Sequence, residues 1–158
     1  MIKDFPGFDA TPDAEPFWFL GGQARILLPG RATGDAMSVM EFSDPIGHAP
    51  PHHVHENEEE LWFVLDGEVS FFVGDKRHDL IPGQVAFGPR GVPHSYLVRS
   101  EGARLAVVFS PAGIEEWFRA NGVPVTDARD IPPAFDLASI VGSAEAFKLR
   151  VTGPPPTL

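Results

Sequence analysis

The sequence predicts an all-β fold whose short strands close into a sandwich or barrel, with short helices in the C-terminal third. Three observations carry this reading. Of 158 residues, 16 are glycine and 17 are proline, so turns should be many and long helices few. Between residues 52 and 109, short β-branched and aromatic stretches alternate quickly with turn pairs. Helix signals begin only at Ser110.

The elements follow in order. Residues 1–16 carry turn formers and acids and read as a loose arm. Residues 17–20 and 24–28 read as strands split by Gly21-Gly22, and residues 36–42 as another. Residues 44–51 form a loop with proline, glycine and His48. Strands are then expected at 53–55, 60–65, 69–73, 84–87, 94–99 and 104–109. Asp66-Gly67, Gly74-Asp75 and Pro82-Gly83 supply turns between them. Ser110 reads as an N-cap with Pro111 at the first helical position, opening a helix over 114–120 that Asn121-Gly122 ends. Ile131-Pro132-Pro133 breaks the chain, and Asp136 caps a second helix running to about Ala146. Pro154-Pro155-Pro156 makes an extended tail. The helical segment 110–158 is expected to cover an open face or edge of the strands. One domain over residues 1–158 is the expected organisation.

Composition removes several function classes. The net charge of −10 leaves no basic footprint for nucleic acid and would be repelled by an anionic membrane surface. No stretch reaches the roughly 18 apolar residues that a membrane span needs. There is no cysteine, which removes disulfides, thiolate metal sites and a cysteine nucleophile together. The start Met1-Ile2-Lys3-Asp4-Phe5-Pro6 lacks a basic region and an apolar run, so a cytoplasmic protein is expected.

The chemistry concentrates in the histidines, four of which lie within residues 48–55. His53 and His55 are two apart, and on a strand such residues point to one face. Two imidazoles so placed can grip one ion. Glu60 opens the next strand, where its carboxylate can return to the same point. His94 follows the rigid turn Pro89-Arg90-Gly91-Val92-Pro93, which could aim it inward from another strand. Three neutral nitrogens and one oxygen suit a divalent first-row metal. An octahedral ion would keep two positions open, whereas a tetrahedral zinc would be saturated.

The spacing Gly47, five residues, His53-x-His55, four residues, Glu60, six residues, Gly67 resembles the first motif of the cupins. Gly83, Pro89, Gly91 and His94 resemble the second, with Val98 where that motif has Asn. The two motifs span the core 47–98, and the flanking strands are similar to small bacterial cupins of the quercetin 2,3-dioxygenase-like kind. The resemblance implies a double-stranded β-helix, or jelly-roll, barrel with short C-terminal helices. It implies His53, His55, Glu60 and His94 as ligands of one divalent transition metal per chain: iron, manganese, nickel or cobalt, with zinc able to occupy the site in purified protein. Gly67 and Gly83 match its turns. Glu59 also meets one allowed spacing, but the distance to Gly67 then fails by one, so Glu60 is preferred. His52 points to the opposite face, and the remaining acids read as a solvated turn.

Alternation predicts the surroundings of the ion. If Glu60 faces inward, so do Trp62 and Val64; if His94 does, so do Tyr96 and Val98. Val85 and Phe87 share one face, and Phe71 or Phe72 must also point in. The expected pocket lining is Trp62, Val64, Phe72, Phe87, Tyr96 and Val98, apolar and partly aromatic. The resemblance implies a metal-dependent dioxygenase oxidising an enolisable or phenolic, flavonol-like small molecule, with dioxygen as co-substrate and Glu60 as catalytic base. An isomerase, cyclase or lyase using the same Lewis acid, and a non-catalytic binding module, are the alternatives. Family analogy also leads us to expect a homodimer.

Overall fold

Apolar residues at every second position build two antiparallel sheets in the computed structural model, which describes residues 14–127 and 131–158. The strands are β1 (Phe17–Phe19), β2 (Gly22–Leu28), β3 (Ser38–Pro45), β4 (His52–His55), β5 (Glu59–Asp66) and β6 (Val69–Val73). They continue as β7 (Lys76–Leu80), β8 (Val85–Gly88), β9 (His94–Val98), β10 (Gly102–Ser110), β11 (Val123–Pro124) and β12 (Leu149–Gly153). Two helices, α1 (Ile114–Asn121) and α2 (Leu137–Ala144), lie between β10 and β12. One sheet runs β11-β1-β2-β3-β10-β5-β8 and the other β12-β4-β9-β6-β7. This is the jelly-roll barrel with C-terminal helices that the sequence predicts.

The core sits between the sheets. Leu105, Val107 and Phe109 of β10, Trp62 and Val64 of β5, and Val69 and Phe71 of β6 are buried at alternating positions. Gly67 shows why a motif position demands glycine: its φ is 81°, and an added Cβ would collide with the Gly102 carbonyl oxygen. Gly83 has a φ of 88° with nothing close, so backbone conformation alone favours glycine there.

Several expectations are corrected. Ser110 does not cap α1. It ends β10, its hydroxyl donating to the Ala36 carbonyl at 3.0 Å, and Gly113 is the capping residue. Glu115 takes over the capping role, accepting from the Gly113 amide at 2.6 Å and the Gly30 amide at 2.9 Å. Asp136 does cap α2, accepting from the amides of Ala138 and Ser139. Three strands lie where none was expected, among them the two-residue β11 that pairs with β1. β7 is an edge strand of exposed, mostly charged residues, and β12 pairs with the histidine strand β4. Most of the expected arm over 1–16 lies outside the described residues. Among the described residues, no helix is long and apolar enough to cross a membrane.

Candidate metal centre

Strand pairing brings the four predicted donors together. β4 carries His53 and His55, and His53 stands opposite His94, the first residue of β9. Glu60 is the first inward residue of β5. One ligand atom from each of the four lies within 4.8 Å of the others. Glu60 Oε2 is 3.2 Å from His55 Nε2 and 3.1 Å from His94 Nε2. The His55 and His94 rings stack at an interplanar angle of 10°, while His53 stands edge-on to both.

Outer partners hold each ring by its other nitrogen. His53 Nδ1 donates to the Pro51 carbonyl at 2.7 Å and His94 Nδ1 to the Val92 carbonyl at 3.0 Å. His55 Nδ1 faces Glu58 Oε2 at 3.3 Å. Carbonyl and carboxylate acceptors hold a proton on Nδ1, so a cation in the shared centre would displace any proton on Nε2 and take its lone pair. Glu58 is therefore not part of a solvated turn, as the sequence reading had it. It is 3% exposed, and Asn57 donates to its second oxygen at 3.0 Å.

The electrostatics fit a cation. Burial, with the neighbouring His94 and His55, pushes the His53 pKa down to about 3, so that ring is neutral. Burial also opposes charge on His55, but hydrogen bonds with Glu58 and Glu60 outweigh it and raise its pKa to about 9. Burial likewise works against the Glu60 carboxylate, yet hydrogen bonds from His55 and His94 hold it well below its usual range. A buried carboxylate and three convergent imidazoles make a donor set for a divalent first-row ion. His53, His55, Glu60 and His94 are the residues that could hold it.

The cluster opens into a cavity of about 70 Å³. His53, His55, Glu60, Trp62 and Tyr96 border it from the barrel, and Trp117, Phe118, Ile140, Val141 and Ala144 from α1 and α2. The helices thus cover the mouth of the barrel and contribute lining that strand alternation could not foresee.

Of the six expected lining residues, Trp62 and Tyr96 border the cavity. Val64 and Val98 are buried but do not border it. Val98, in place of the motif's Asn, pairs through its backbone with the loop: Gly47 N donates to its carbonyl and its own N–H to the His48 carbonyl, both at 3.0 Å. Phe72 lies outside the barrel, with the Arg77 guanidinium 5.7 Å above its ring and His52 edge-on. Its neighbour Phe71 is the inward residue. Phe87 also faces outward and is half exposed, because the inward residues of β8 are Ala86 and Gly88. Those small residues make room for Trp62; a Cβ on Gly88 would come within 2.5 Å of its indole ring.

Two further groups were not anticipated. His48 borders the cavity, and behind it Asp44 is buried on β3. Tyr96 donates its hydroxyl to Asp44 Oδ2 at 2.7 Å, and His48 Nε2 lies 3.6 Å from Asp44 Oδ1. Burial pushes the Asp44 carboxyl up, against the pull of His48 and the Tyr96 hydrogen bond. Burial and the adjacent Asp44 raise the Tyr96 phenol well above its ordinary value, so it stays a donor.

Fold and donor set define the class: the chain belongs to the cupin superfamily, and the cupin domain family matches residues 40–110. Its sequence is similar to quercetin 2,3-dioxygenase of Bacillus subtilis (strain 168), 32% identical over 134 residues, 85% of this chain and 40% of the relative. The chain thus spans two-fifths of that relative's length. Among solved structures it is similar to an RmlC-like cupin from Shewanella frigidimarina, with a TM-score of 0.60 and 21% identity, covering 69% of this chain and 94% of that one. A predicted oxalate decarboxylase from Thermotoga maritima gives a TM-score of 0.58 and 24% identity, covering 64% of this chain and 96% of that one. At these identities the structural likenesses speak for the fold alone.

Glu58 provides a direct test of how the centre is held. Glu58→Gln should leave the fold intact and weaken metal binding about 10- to 100-fold, the usual effect of removing a ligand's outer carboxylate. Competition with a chromophoric chelator measures this. Unchanged affinity would mean that Glu58 does not set the His55 ring.

Proposed function

We propose that this cupin is a metal-dependent dioxygenase acting on a small enolisable or phenolic molecule. The observation that supports it is a His₃Glu donor set facing a largely apolar cavity. Likeness to a quercetin dioxygenase adds weight. A divalent ion in the centre would stabilise an enolate or phenolate and, with an oxygen-reactive metal, open the way to dioxygen chemistry.

The chain's own residues do the rest. Trp62, Phe118 and Ile140 supply apolar walls that exclude water from the reacting end. Glu60 turns Oε2 to His55 and His94, while Oε1 has no hydrogen-bond partner among the described residues. That oxygen is the atom able to take a substrate proton.

Size narrows the substrate. Sites for drug-sized molecules enclose roughly 300–1,000 Å³, and this cavity encloses about 70 Å³. A compact enol is therefore favoured over a flavonol, which would require α1 and α2 to move away. Protein loaded in turn with iron, manganese, nickel or cobalt should consume oxygen with acetylacetone or a small enediol, and much more slowly with quercetin. No uptake with any metal or substrate would sink the dioxygenase reading. Comparable rates with quercetin would sink the size argument. Conversion of the small enol without oxygen would instead favour a metal-dependent isomerase, cyclase or lyase.

A further inference from the structure

One titratable group of the cavity stands apart from the donor cluster. His48 sits on the loop between β3 and β4, and its backbone is fixed on both sides. Its N–H donates to the Pro45 carbonyl at 3.1 Å, and its carbonyl accepts from the Val98 amide at 3.0 Å. The ring stacks on Tyr96, with centroids 6.0 Å apart and planes 28° from parallel. The side chain is only 9% exposed, yet it borders the cavity. Nε2 faces Asp44 Oδ1, whose other oxygen is taken by Tyr96. Nδ1 has no hydrogen-bond partner among the described residues.

A ring nitrogen left without a partner beside an apolar cavity is free to take a ligand's hydrogen bond. The tautomer that turns its proton on Nε2 toward the carboxylate leaves Nδ1 as an acceptor. An acceptor on an otherwise apolar wall selects a ligand that carries a donor. We propose that His48, oriented by Asp44 and Tyr96, is a substrate-anchoring residue. Its Nδ1 receives an O–H or N–H from a small enediol-like molecule whose oxygens face His53, His55, Glu60 and His94. The substrate would then need two features: an enolisable oxygen for the donor cluster and a second, hydrogen-bearing polar group for His48. The inference rests on reading the site as a holder of small enolates. Asp44 and Tyr96 act through His48 and are positioning residues.

The test uses acetohydroxamic acid, a compact enediolate mimic with an N–H, and N-methylacetohydroxamic acid, which lacks it. Binding of both to wild type, His48→Phe and His48→Asn, each loaded with cadmium as a diamagnetic divalent ion that accepts more than four ligands, is measured by calorimetry. Metal content and melting temperature establish that each variant is folded and loaded. Wild type should prefer the N–H compound by about tenfold, the effect of one buried hydrogen bond. Both variants should lose that preference. The ¹⁵N resonance of His48 Nδ1 should also shift when the N–H compound binds wild type. A preference that persists in the folded variants, or an unmoved Nδ1 resonance, would overturn the role of His48 while leaving the metal-site reading intact. Failure of the loaded wild type to bind either compound would overturn the enolate-holding reading, and this inference with it.

Discussion

His94→Ala should purify folded but essentially free of transition metal. His94 is 1% exposed and reaches the centre from β9, whereas its fellow donors come from β4 and β5. Its removal leaves two imidazoles on one strand and one carboxylate, with no donor closing the site from the neighbouring strand. Losing an outer partner costs about 10- to 100-fold in metal affinity, and losing a donor should cost more. Elemental mass spectrometry should find about one first-row metal per wild-type chain and less than about a tenth of that in the variant. Glu60→Ala should behave likewise, because the sole carboxylate of the set is lost. Retention of metal by His94→Ala at the wild-type level would place the ion elsewhere.

The largest effect on stability should come from Trp62→Ala. This side chain is 1% exposed and lies between Phe71, at a centroid distance of 5.3 Å, and His94, at 5.1 Å. Gly88 offers it a flat backbone surface. Truncating so large a buried ring should cost about 3–5 kcal/mol. Against the 5–15 kcal/mol of a typical domain, that is a large share, read as a lower urea midpoint with little change in slope. Trp62→Phe should lose much less. A cost below about 1 kcal/mol for the alanine variant would mean that the barrel collapses into the gap.

The same residue shows where sequence reading succeeds and where it stops. Period-two alternation put Glu60, Trp62 and Val64 on one face of β5, and the structure agrees. For β8 it put Phe87, and with it Val85, on the pocket side, whereas both face outward. The space is decided by Trp62, which needs Ala86 and Gly88 opposite it. Bulk in one strand thus dictates smallness in the next, and no single strand carries that information. β7 was hidden for another reason: Lys76-Arg77-His78-Asp79 has no apolar alternation, and it becomes a strand only by pairing with β6.

The donor set was legible because every spacing in it has a local cause. His53 and His55 share a strand face, Glu60 begins the following strand, and the turn over residues 89–93 leads directly to His94. Glu58 was missed because its approach to His55 depends on the bend at residues 56–57, which no periodicity encodes. His48, Asp44 and Tyr96 come from β3, a loop and β9, and meet only once both sheets are assembled.

Anomalous diffraction from crystals of the metal-loaded protein, recorded at the absorption edge of the bound metal, tests the central claim most directly. One strong peak per chain among His53 Nε2, His55 Nε2, His94 Nε2 and the Glu60 carboxylate is the result predicted here. A peak at another cluster, or none in protein shown to contain metal, would contradict it.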